Sequence, residues 1–309
     1  MKVIKNYNNF SVSKKSIVTI GTFDGVHLGH QKILEKLVAT AKKEKYNSVL
    51  LTFFPHPRMV LQKDASIKLI HSIEERIAML EKTGLDYLII HPFDAAFSRL
   101  TALEFVRSIL VEKLETAELV IGYDHRFGKN REGNFEQLEE YGHMYDFKVN
   151  EISALDIDAI SVSSTKIRKA LLSGDVKKAN AYLGNSFFLT GTIVKGDRIG
   201  NTIGFPTANL EIAESYKLIP QNGVYLVRSQ IKGVWKYGMM NIGYRPTVKG
   251  ENRTLETHFF DFNSDLYGQK IQVELLDFIR KEQKFDSLEQ LKKQLFEDKE
   301  RSMVLMKNI

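Results

Sequence analysis

Apolar and polar positions follow two different patterns along the chain, and the change falls near residues 184–187. In the first part, short runs that are apolar throughout predict buried β-strands, and segments with a helical spacing of apolar residues lie between them. Such strands in alternation with helices indicate a parallel sheet covered on both faces, with ligands beyond the carboxyl ends of the strands. The predicted strands are 16–21, 48–53, 86–91 and 117–122, with a weaker candidate at 147–152, and the predicted helices are 29–45, 73–83, 102–115 and 134–142.

After residue 187 the runs alternate and are punctuated by Gly, Asn and Asp, which predicts an antiparallel sheet or a small barrel. Two short helices, 164–172 and 175–183, precede these runs, and a helix from near Ser287 to about 305 follows them. We therefore expect two domains, 1–184 and 185–309. The predicted strands of the second domain are 187–194, 224–231, 235–242, 255–262 and 270–279.

Composition narrows the class of protein. Of the 309 residues, 43% are hydrophobic and 27% charged, which is typical of a globular chain. The absence of cysteine excludes a disulfide scaffold, a cysteine-ligated zinc site and a cysteine nucleophile. No apolar run has the length of a signal peptide or a membrane span, so we expect a cytoplasmic protein with no membrane partner. The net charge of +6 is spread evenly with no basic tail, whereas a nucleic-acid binder more often concentrates its charge on one face or arm. A spread excess also suits an enzyme with small anionic substrates, so charge alone does not decide between the two.

The first candidate for chemistry is Gly-Thr-Phe-Asp-Gly-Val-His-Leu-Gly-His-Gln at 21–31, between the first predicted strand and the first helix. His27 and His30 bracket Leu-Gly at a helix start, where unpaired N–H groups and the helix dipole attract phosphate. Gly29 removes a side chain there, and two imidazoles can donate hydrogen bonds to phosphate oxygens. The alternatives are two histidines with capping or core roles, or a zinc site for which no third ligand is evident nearby.

Polar residues also follow the second and fourth predicted strands. His56 lies between two prolines with Arg58 close by, which fits a ligand-binding residue as well as a solvated histidine in a rigid turn. Asp124 and Phe127 come just after a strand end, where a ligand crevice is expected, although Phe127 also fits a core position.

The start of the helix predicted at 164–172 offers hydroxyl groups and one guanidinium. Ser164, Thr165 and Arg168 can bind ATP phosphates together with the N–H groups of the helix start. Plain N-capping is the alternative role of the serine hydroxyl, and the two roles are compatible.

A second constellation occupies 191–209. Thr207 and Asn209 carry hard oxygen ligands suited to a Mg²⁺ ion that also contacts substrate phosphates. Further along, Glu256 is a carboxylate that can accept a proton, or a solvated strand residue. A glycine-rich hairpin with polar turns is the alternative for the whole segment. The glycines whose backbone could wrap phosphate are Gly191, Gly196, Gly200 and Gly204.

These segments resemble a known family. His27-Leu-Gly-His30 resembles the HxGH signature of the nucleotidyltransferase superfamily, and the full 21–31 segment resembles the amino-terminal module of prokaryotic bifunctional riboflavin kinase/FAD synthetases. Gly-Phe-Pro-Thr-Ala-Asn at 204–209 resembles the riboflavin kinase signature. The resemblance covers almost the whole chain, and its other matching segments are 52–58, 120–128, 163–168, 241–247 and 255–268.

The resemblance implies an α/β protein with an amino-terminal Rossmann-like nucleotidyltransferase domain and a carboxy-terminal antiparallel riboflavin kinase barrel with a terminal helix. It implies phosphorylation of riboflavin to FMN and adenylylation of FMN to FAD, with ATP as co-substrate and Mg²⁺. We expect a monomer or a weak homo-oligomer. The residues it implies are His27, His30, Arg168 and Glu256 for catalysis; Gly21, Phe23, Gly29, Asp124, Ser164, Thr165, Gly191, Gly196 and Gly204 for nucleotide or phosphate; His56, Arg58, Phe127, Asn241 and Arg245 for flavin; and Thr207 and Asn209 for Mg²⁺.

The chain departs from the family pattern at two positions. Asp124 stands where the family often has Asn, and Asn201 stands where it commonly has Arg. The second departure favours one alternative, an adenylyltransferase whose barrel only binds flavin. A pI of ≈ 9.1 raises a second alternative, a nucleic-acid-binding or flavin-sensing regulator. A third is another HxGH transferase, such as a cytidylyltransferase, in which the 204–209 segment has no role.

Overall fold

The fold consists of two compact units, residues 1–164 and 165–309. It was obtained as a computed structural model. The residues it describes are 1–61, 67–122, 126–152, 162–196, 199–247 and 250–307, without the side chains of 199, 201, 245–247 and 250–252.

The first unit is built on a parallel sheet, as predicted. Its six strands lie in the order β1-β4-β3-β2-β5-β6, and every pairing is parallel. The middle strand, β2, is buried along its whole length because the sheet is covered on both faces. The strands are β1 (Lys2–Lys5), β2 (Ser16–Ile20), β3 (Asn47–Phe53), β4 (Tyr87–His91), β5 (Thr116–Gly122) and β6 (Lys148–Ile152).

Two helices of this unit begin with a capping box. The side chains of Ser72 and Thr101 each accept a hydrogen bond from the backbone amide of the glutamate three residues later, and that glutamate's carboxylate accepts one from the backbone amide of the serine or threonine. Within the helix predicted at 102–115, residues 106–111 form a π-helix. The helices are α1 (Leu28–Glu44), α2 (Pro57–Leu61), α3 (Ile73–Leu80), α4 (Ala102–Phe105) and α5 (Phe135–Tyr145).

The sheet order places the sequence motifs at one edge. Strand β2 lies between β3 and β5, so the chain winds away from it in both directions, and the crevice at such a switch point is where α/β sheets bind ligands. The segments 21–27, 54–58 and 126–128 follow β2, β3 and β5, and all three therefore belong to the carboxyl edge of the sheet.

The second unit contains a closed antiparallel barrel, which confirms the predicted antiparallel sheet or barrel. The strands follow the order β10-β11-β8-β7-β12-β9, and β9 pairs with β10 to close it. The strands are β7 (Phe188–Val194), β8 (Ala208–Glu211), β9 (Gly223–Ile231), β10 (Val234–Thr247), β11 (Gly250–Phe259) and β12 (Lys270–Arg280).

Two helices of this unit, Val176–Leu183 and Leu288–Met306, pack on the barrel. The last helix lies against an apolar cluster that includes Phe205, Met239 and Phe260, and a buried ion pair joins its Asp298 to Arg280 at 2.8 Å. The helices of this unit are α6 (Ser164–Leu172), α7 (Val176–Leu183), α8 (Ile199–Thr202) and α9 (Leu288–Met306).

Candidate active sites

The two histidines of the first motif stack on each other at the start of α1. Their ring centroids are 3.6 Å apart at 16°, and the ring of Phe23 stacks on the other face of His30 at 4.5 Å. His27 is the N-cap of α1, and its Nδ1 accepts a hydrogen bond of 3.3 Å from the His30 amide. Because Nδ1 is the acceptor, a neutral His27 carries its proton on Nε2 and can donate it to a ligand.

His30 is held in the neutral form. Burial is the main cause that lowers its pKa well below the usual range, and His27 and the cationic Arg76 act in the same direction. A neutral imidazole next to the first-turn amides of α1 can exchange hydrogen bonds with a ligand but does not supply a fixed positive charge.

The turn that carries these histidines is strained. Phe23 and Val26 have left-handed φ values of 48° and 41°, and Gly25 between them has 92°. A β-branched residue such as valine rarely adopts this conformation, so the surrounding structure must hold it there.

Side chains from other elements bond the carbonyl oxygens of this turn. Arg76 Nη1 donates to the Thr22 carbonyl at 2.7 Å, Ser164 Oγ to the Asp24 carbonyl at 2.8 Å, and Gln31 Nε2 to the Val26 carbonyl at 2.8 Å. The turn is therefore fixed before a ligand binds, which is the preorganisation that phosphate chemistry requires.

Asp24 and Arg76 form a buried ion pair that the sequence did not predict. Both side chains are at most 1% exposed, with Arg76 Nη2 4.0 Å from Asp24 Oδ1. The Asp24 carboxylate also accepts the amides of Ile70 and His71 at 3.1 and 3.2 Å. The motif contains Asp24, but α3, which carries Arg76, begins far from it in sequence, and no local pattern links the two.

His56 repeats the capping arrangement of His27. It is buried just before α2, and its Nδ1 accepts a hydrogen bond of 3.2 Å from the Arg58 amide. Arg58 itself is exposed on the first turn of α2. Since β3 pairs with β2, the two imidazole-capped helices start at the same edge of the sheet.

The remaining predicted residues of this region lie in different settings. Phe127 is packed in the core with Phe105 at 5.8 Å, and Asp124 falls outside the described residues. Thr165 and Arg168 belong to the second unit, on the first two turns of α6, with Thr165 exposed and Arg168 half-buried. The flavin and nucleotide contacts assigned to them remain predictions.

The barrel aligns three of the predicted residues in one row. Asn209 on β8 is paired with Glu256 on β11, and Glu256 is paired with Asn241 on β10. Residues directly opposite each other in antiparallel strands project from the same face, with Cβ atoms about 5 Å apart. The carboxylate therefore lies between two amides, and we name Asn209, Glu256 and Asn241 the barrel row.

Thr207 lies immediately before β8, two residues before Asn209 in the chain. A hydroxyl and an amide this close in sequence, with the carboxylate of Glu256 paired to Asn209, are oxygen donors of the kind that Mg²⁺ takes. Among the described residues, no cluster of three or more histidine, aspartate or glutamate side chains could hold a metal ion.

The glycines of this region serve different needs. A Cβ at Gly196 would lie 2.3 Å from Asn209 Nδ2, so glycine leaves room for the amide of the barrel row. Gly204 has φ 85° with open space around it, so its backbone conformation requires glycine. A Cβ at Gly191 would lie 2.3 Å from the Glu211 carbonyl oxygen. Glycine is therefore needed here because β8 passes close to β7. Arg245 belongs to β10, but its side chain is not among those that the structure describes.

The comparison with known proteins agrees with this division. A family model described as FAD synthetase matches residues 9–166, and one described as riboflavin kinase matches residues 183–306. The bifunctional riboflavin kinase/FMN adenylyltransferase of Buchnera aphidicola from Schizaphis graminum is 39% identical over 96% of each chain. The chain belongs to this bifunctional riboflavin kinase/FMN adenylyltransferase family.

Other members of the bifunctional family match over the same length. The proteins of this name from Escherichia coli K12 and Bacillus subtilis 168 are 37% and 35% identical, each over 96% of this chain. A crystal structure from Streptococcus pneumoniae described as a macrolide-efflux protein has a TM-score of 0.88 and 34% identity over 98% of each chain. That description belongs to the pneumococcal protein, and within the residues described here no helix is long and apolar enough to span a bilayer.

The two family matches leave residues 167–182 between them, and these residues form most of α6 and α7. In the structure α7 is bound to the barrel. Asn180 Nδ2 donates to the Leu275 carbonyl at 2.9 Å, its Oδ1 accepts the Phe187 amide at 2.7 Å, and Lys177 pairs with Asp277 at 2.8 Å. The domain boundary that the sequence predicts at 184/185 remains a prediction.

Proposed function

We propose that the chain makes FAD from riboflavin in two ATP-dependent reactions at two separate sites. The histidine pair of the first unit serves adenylylation, and the barrel row serves phosphorylation. The observation that supports this most is that each half matches a different family model, and each half contains its own set of groups suited to that reaction.

In the adenylylation, a phosphate oxygen of FMN attacks the α-phosphorus of ATP in line. A new P–O–P bond forms, the bond to the β-phosphate oxygen breaks, and pyrophosphate leaves. No covalent enzyme intermediate is required, so the protein contributes position and charge stabilisation. We assign donation from Nε2 to His27, a neutral contact with the transferring phosphate to His30, and contacts with ATP phosphates to Ser164, Thr165 and Arg168.

In the phosphorylation, the ribityl 5′-hydroxyl of riboflavin attacks the γ-phosphorus of ATP and ADP leaves. We assign to Glu256 the acceptance of the hydroxyl proton. Its two neighbours in the barrel row support this assignment, because they are neutral amides and cannot take up the proton. We assign Asn241 and Arg245 to flavin contacts, and the backbone at Gly191, Gly196 and Gly204 to the phosphates.

Thr207 and Asn209 would hold Mg²⁺ in this site. Their oxygen donors and the space that Gly196 leaves for the Asn209 amide fit an ion that keeps few protein ligands and binds substrate phosphates. When bound, Mg²⁺ neutralises phosphate charge. A cytoplasmic location and a monomeric or weakly associating state remain predictions.

A single assay tests the proposal. Purified protein is incubated with riboflavin, ATP and Mg²⁺, and flavins are separated by chromatography over time. We expect FMN to appear first and FAD to follow. FAD formation only from added FMN would favour an adenylyltransferase with a flavin-binding barrel, and the absence of both products would contradict the proposal.

A further inference from the structure

His258 joins the barrel row to the segment that carries Thr207. It lies on β11 two residues after Glu256, so both side chains project from the same face of the strand. Its Nδ1 is 2.8 Å from the carbonyl oxygen of Pro206. Because a carbonyl only accepts, Nδ1 carries the proton and the imidazole donates this hydrogen bond.

Aromatic packing holds the same segment from its other side. The ring of Phe205 contacts His258 with centroids 5.1 Å apart and Phe296 of α9 at 5.0 Å in an edge-to-face arrangement. Residues 205 and 206 are therefore held between β11 and α9. The two proposed Mg²⁺ ligands follow directly in the chain. Thr207 precedes the short strand β8, and Asn209 is the second residue of that strand and is paired with Glu256.

We propose that His258 is a positioning residue of the phosphorylation site, because its hydrogen bond to the Pro206 carbonyl sets the place of Thr207 and Asn209 relative to Glu256. The inference rests on the proposed function of these three residues. A displacement of about 1 Å at a reacting centre can reduce a rate by two orders of magnitude, so one bond at the base of the segment has a large effect.

The hydrogen bond to Pro206 requires a proton on Nδ1, which both the charged ring and one neutral tautomer carry. Burial is the first cause that lowers the pKa of His258, and Lys299 acts in the same direction, while the bond to Pro206 and the charge of Asp261 oppose them. In the neutral ring that this shift favours, the carbonyl of Pro206 selects the tautomer with its proton on Nδ1.

Three substitutions separate the hydrogen bond from the packing of the ring. In His258→Asn the side-chain amide nitrogen takes the place of Nδ1 and keeps the donor. In His258→Gln the amide reaches the place of Nε2, and in His258→Leu no donor remains. Riboflavin phosphorylation is measured with ATP and Mg²⁺ varied, and adenylylation of added FMN by the same preparations controls for folding and concentration.

We expect His258→Leu and His258→Gln to lower kcat for phosphorylation at least about tenfold and to raise the Mg²⁺ concentration for half-maximal rate, while His258→Asn stays within about threefold of wild type. Adenylylation stays unchanged in all three. A His258→Leu enzyme with wild-type kinetics, or a His258→Asn enzyme as impaired as His258→Gln, would overturn the inference. If His258→Leu does not fold, the Asn and Gln variants still decide.

The proposed function fails in a different way. It fails if the wild-type protein does not phosphorylate riboflavin, or if Glu256→Gln does so at the wild-type rate. With an active wild type and an inactive Glu256→Gln, the three His258 variants report on positioning alone.

Discussion

The two imidazoles at the start of α1 differ in their surroundings, and this decides what each contributes. His27 receives the amide of His30 on Nδ1, which fixes its tautomer, whereas His30 lies between two rings and near the buried cation of Arg76. The first is an oriented donor and the second a neutral partner. Motif spacing predicts that both histidines meet a phosphate. The charge state of His30 depends first on its burial and then on His27 and Arg76, and the burial and the approach of Arg76 arise only in the folded structure.

Removal of Arg76 is expected to impair adenylylation alone. In Arg76→Met the pKa of His30 rises towards its usual value because a neighbouring positive charge is lost, and the Thr22 carbonyl loses its donor. The acid limb of the pH profile of kcat/KM for adenylylation then moves to higher pH and its plateau falls at least about tenfold. Arg76→Lys, which keeps the charge, is the control for the pH shift. An unchanged profile in Arg76→Met would contradict this role, and riboflavin phosphorylation reports whether the chain is folded.

The titration of His91, at the end of β4, should make the stability of the first unit depend on pH. Burial among Tyr7 and Phe97 lowers its pKa from 6.5 to about 4, with Asp94 opposing the shift. The unfolded chain binds this proton below about pH 6.5 and the folded chain only below about 4, so stability falls as the pH drops through that window.

We expect His91→Phe to remove this dependence. From pH 7.5 to pH 5, the wild-type protein should lose about 2 kcal/mol more unfolding free energy than the variant. Urea unfolding followed by circular dichroism measures it, and fluorescence of Trp235 on β10 reports the barrel separately. Equal losses in both proteins would show that His91 does not titrate in this way.

At the scale of the elements, the packing of helix α9 on the barrel depends on a buried ion pair between Arg280 and Asp298. Arg280 Nε and Nη2 both bond the Asp298 carboxylate, which is 2% exposed and also accepts from Gln294. Loss of the carboxylate would leave a guanidinium unpaired in a largely buried place. The same helix packs Phe296 on the segment before the proposed Mg²⁺ ligands, so its docking affects the phosphorylation site as well.

The substitution Asp298→Ala should destabilise the barrel by about 3–5 kcal/mol. Gln294→Ala, which removes one neutral donor from the same carboxylate, should cost about 1 kcal/mol. Thermal unfolding of both variants measures the difference. Similar small shifts in Tm would show that the ion pair contributes no more than an ordinary hydrogen bond.

Strands were predictable where burial makes the sequence apolar on both faces, as in β2 and β3. The edge strand β1 has one buried residue in four, and the four-residue β8 has one, so neither leaves an apolar run. Strand β10 continues through Gly243 and Pro246, which read as turn residues in sequence. The barrel row was not predictable either, because the pairing of Asn209 with Glu256 is a long-range register that no local pattern encodes.

At the scale of the whole molecule, we propose that residues 185–309 form a domain able to phosphorylate riboflavin alone. Helix α7 lies outside this fragment, yet Val176 and Leu183 are buried and Asn180 caps the Phe187 amide. Each buried aliphatic side chain contributes about 1.5–3 kcal/mol, so the fragment should fold with a lower Tm than a fragment 165–309 that contains α7. An insoluble 185–309 fragment would contradict the domain proposal, and equal Tm values would mean that α7 adds nothing.

The central claim is that two independent sites perform the two reactions, and the products of two variants test it most directly. His30→Ala and Glu256→Gln are each given riboflavin or FMN with ATP and Mg²⁺, and FMN and FAD are quantified. The account predicts that His30→Ala accumulates FMN without FAD, and that Glu256→Gln leaves riboflavin unchanged but converts FMN to FAD, each loss being about 10²-fold or more. A folded variant that loses both reactions, or keeps both, would contradict the account.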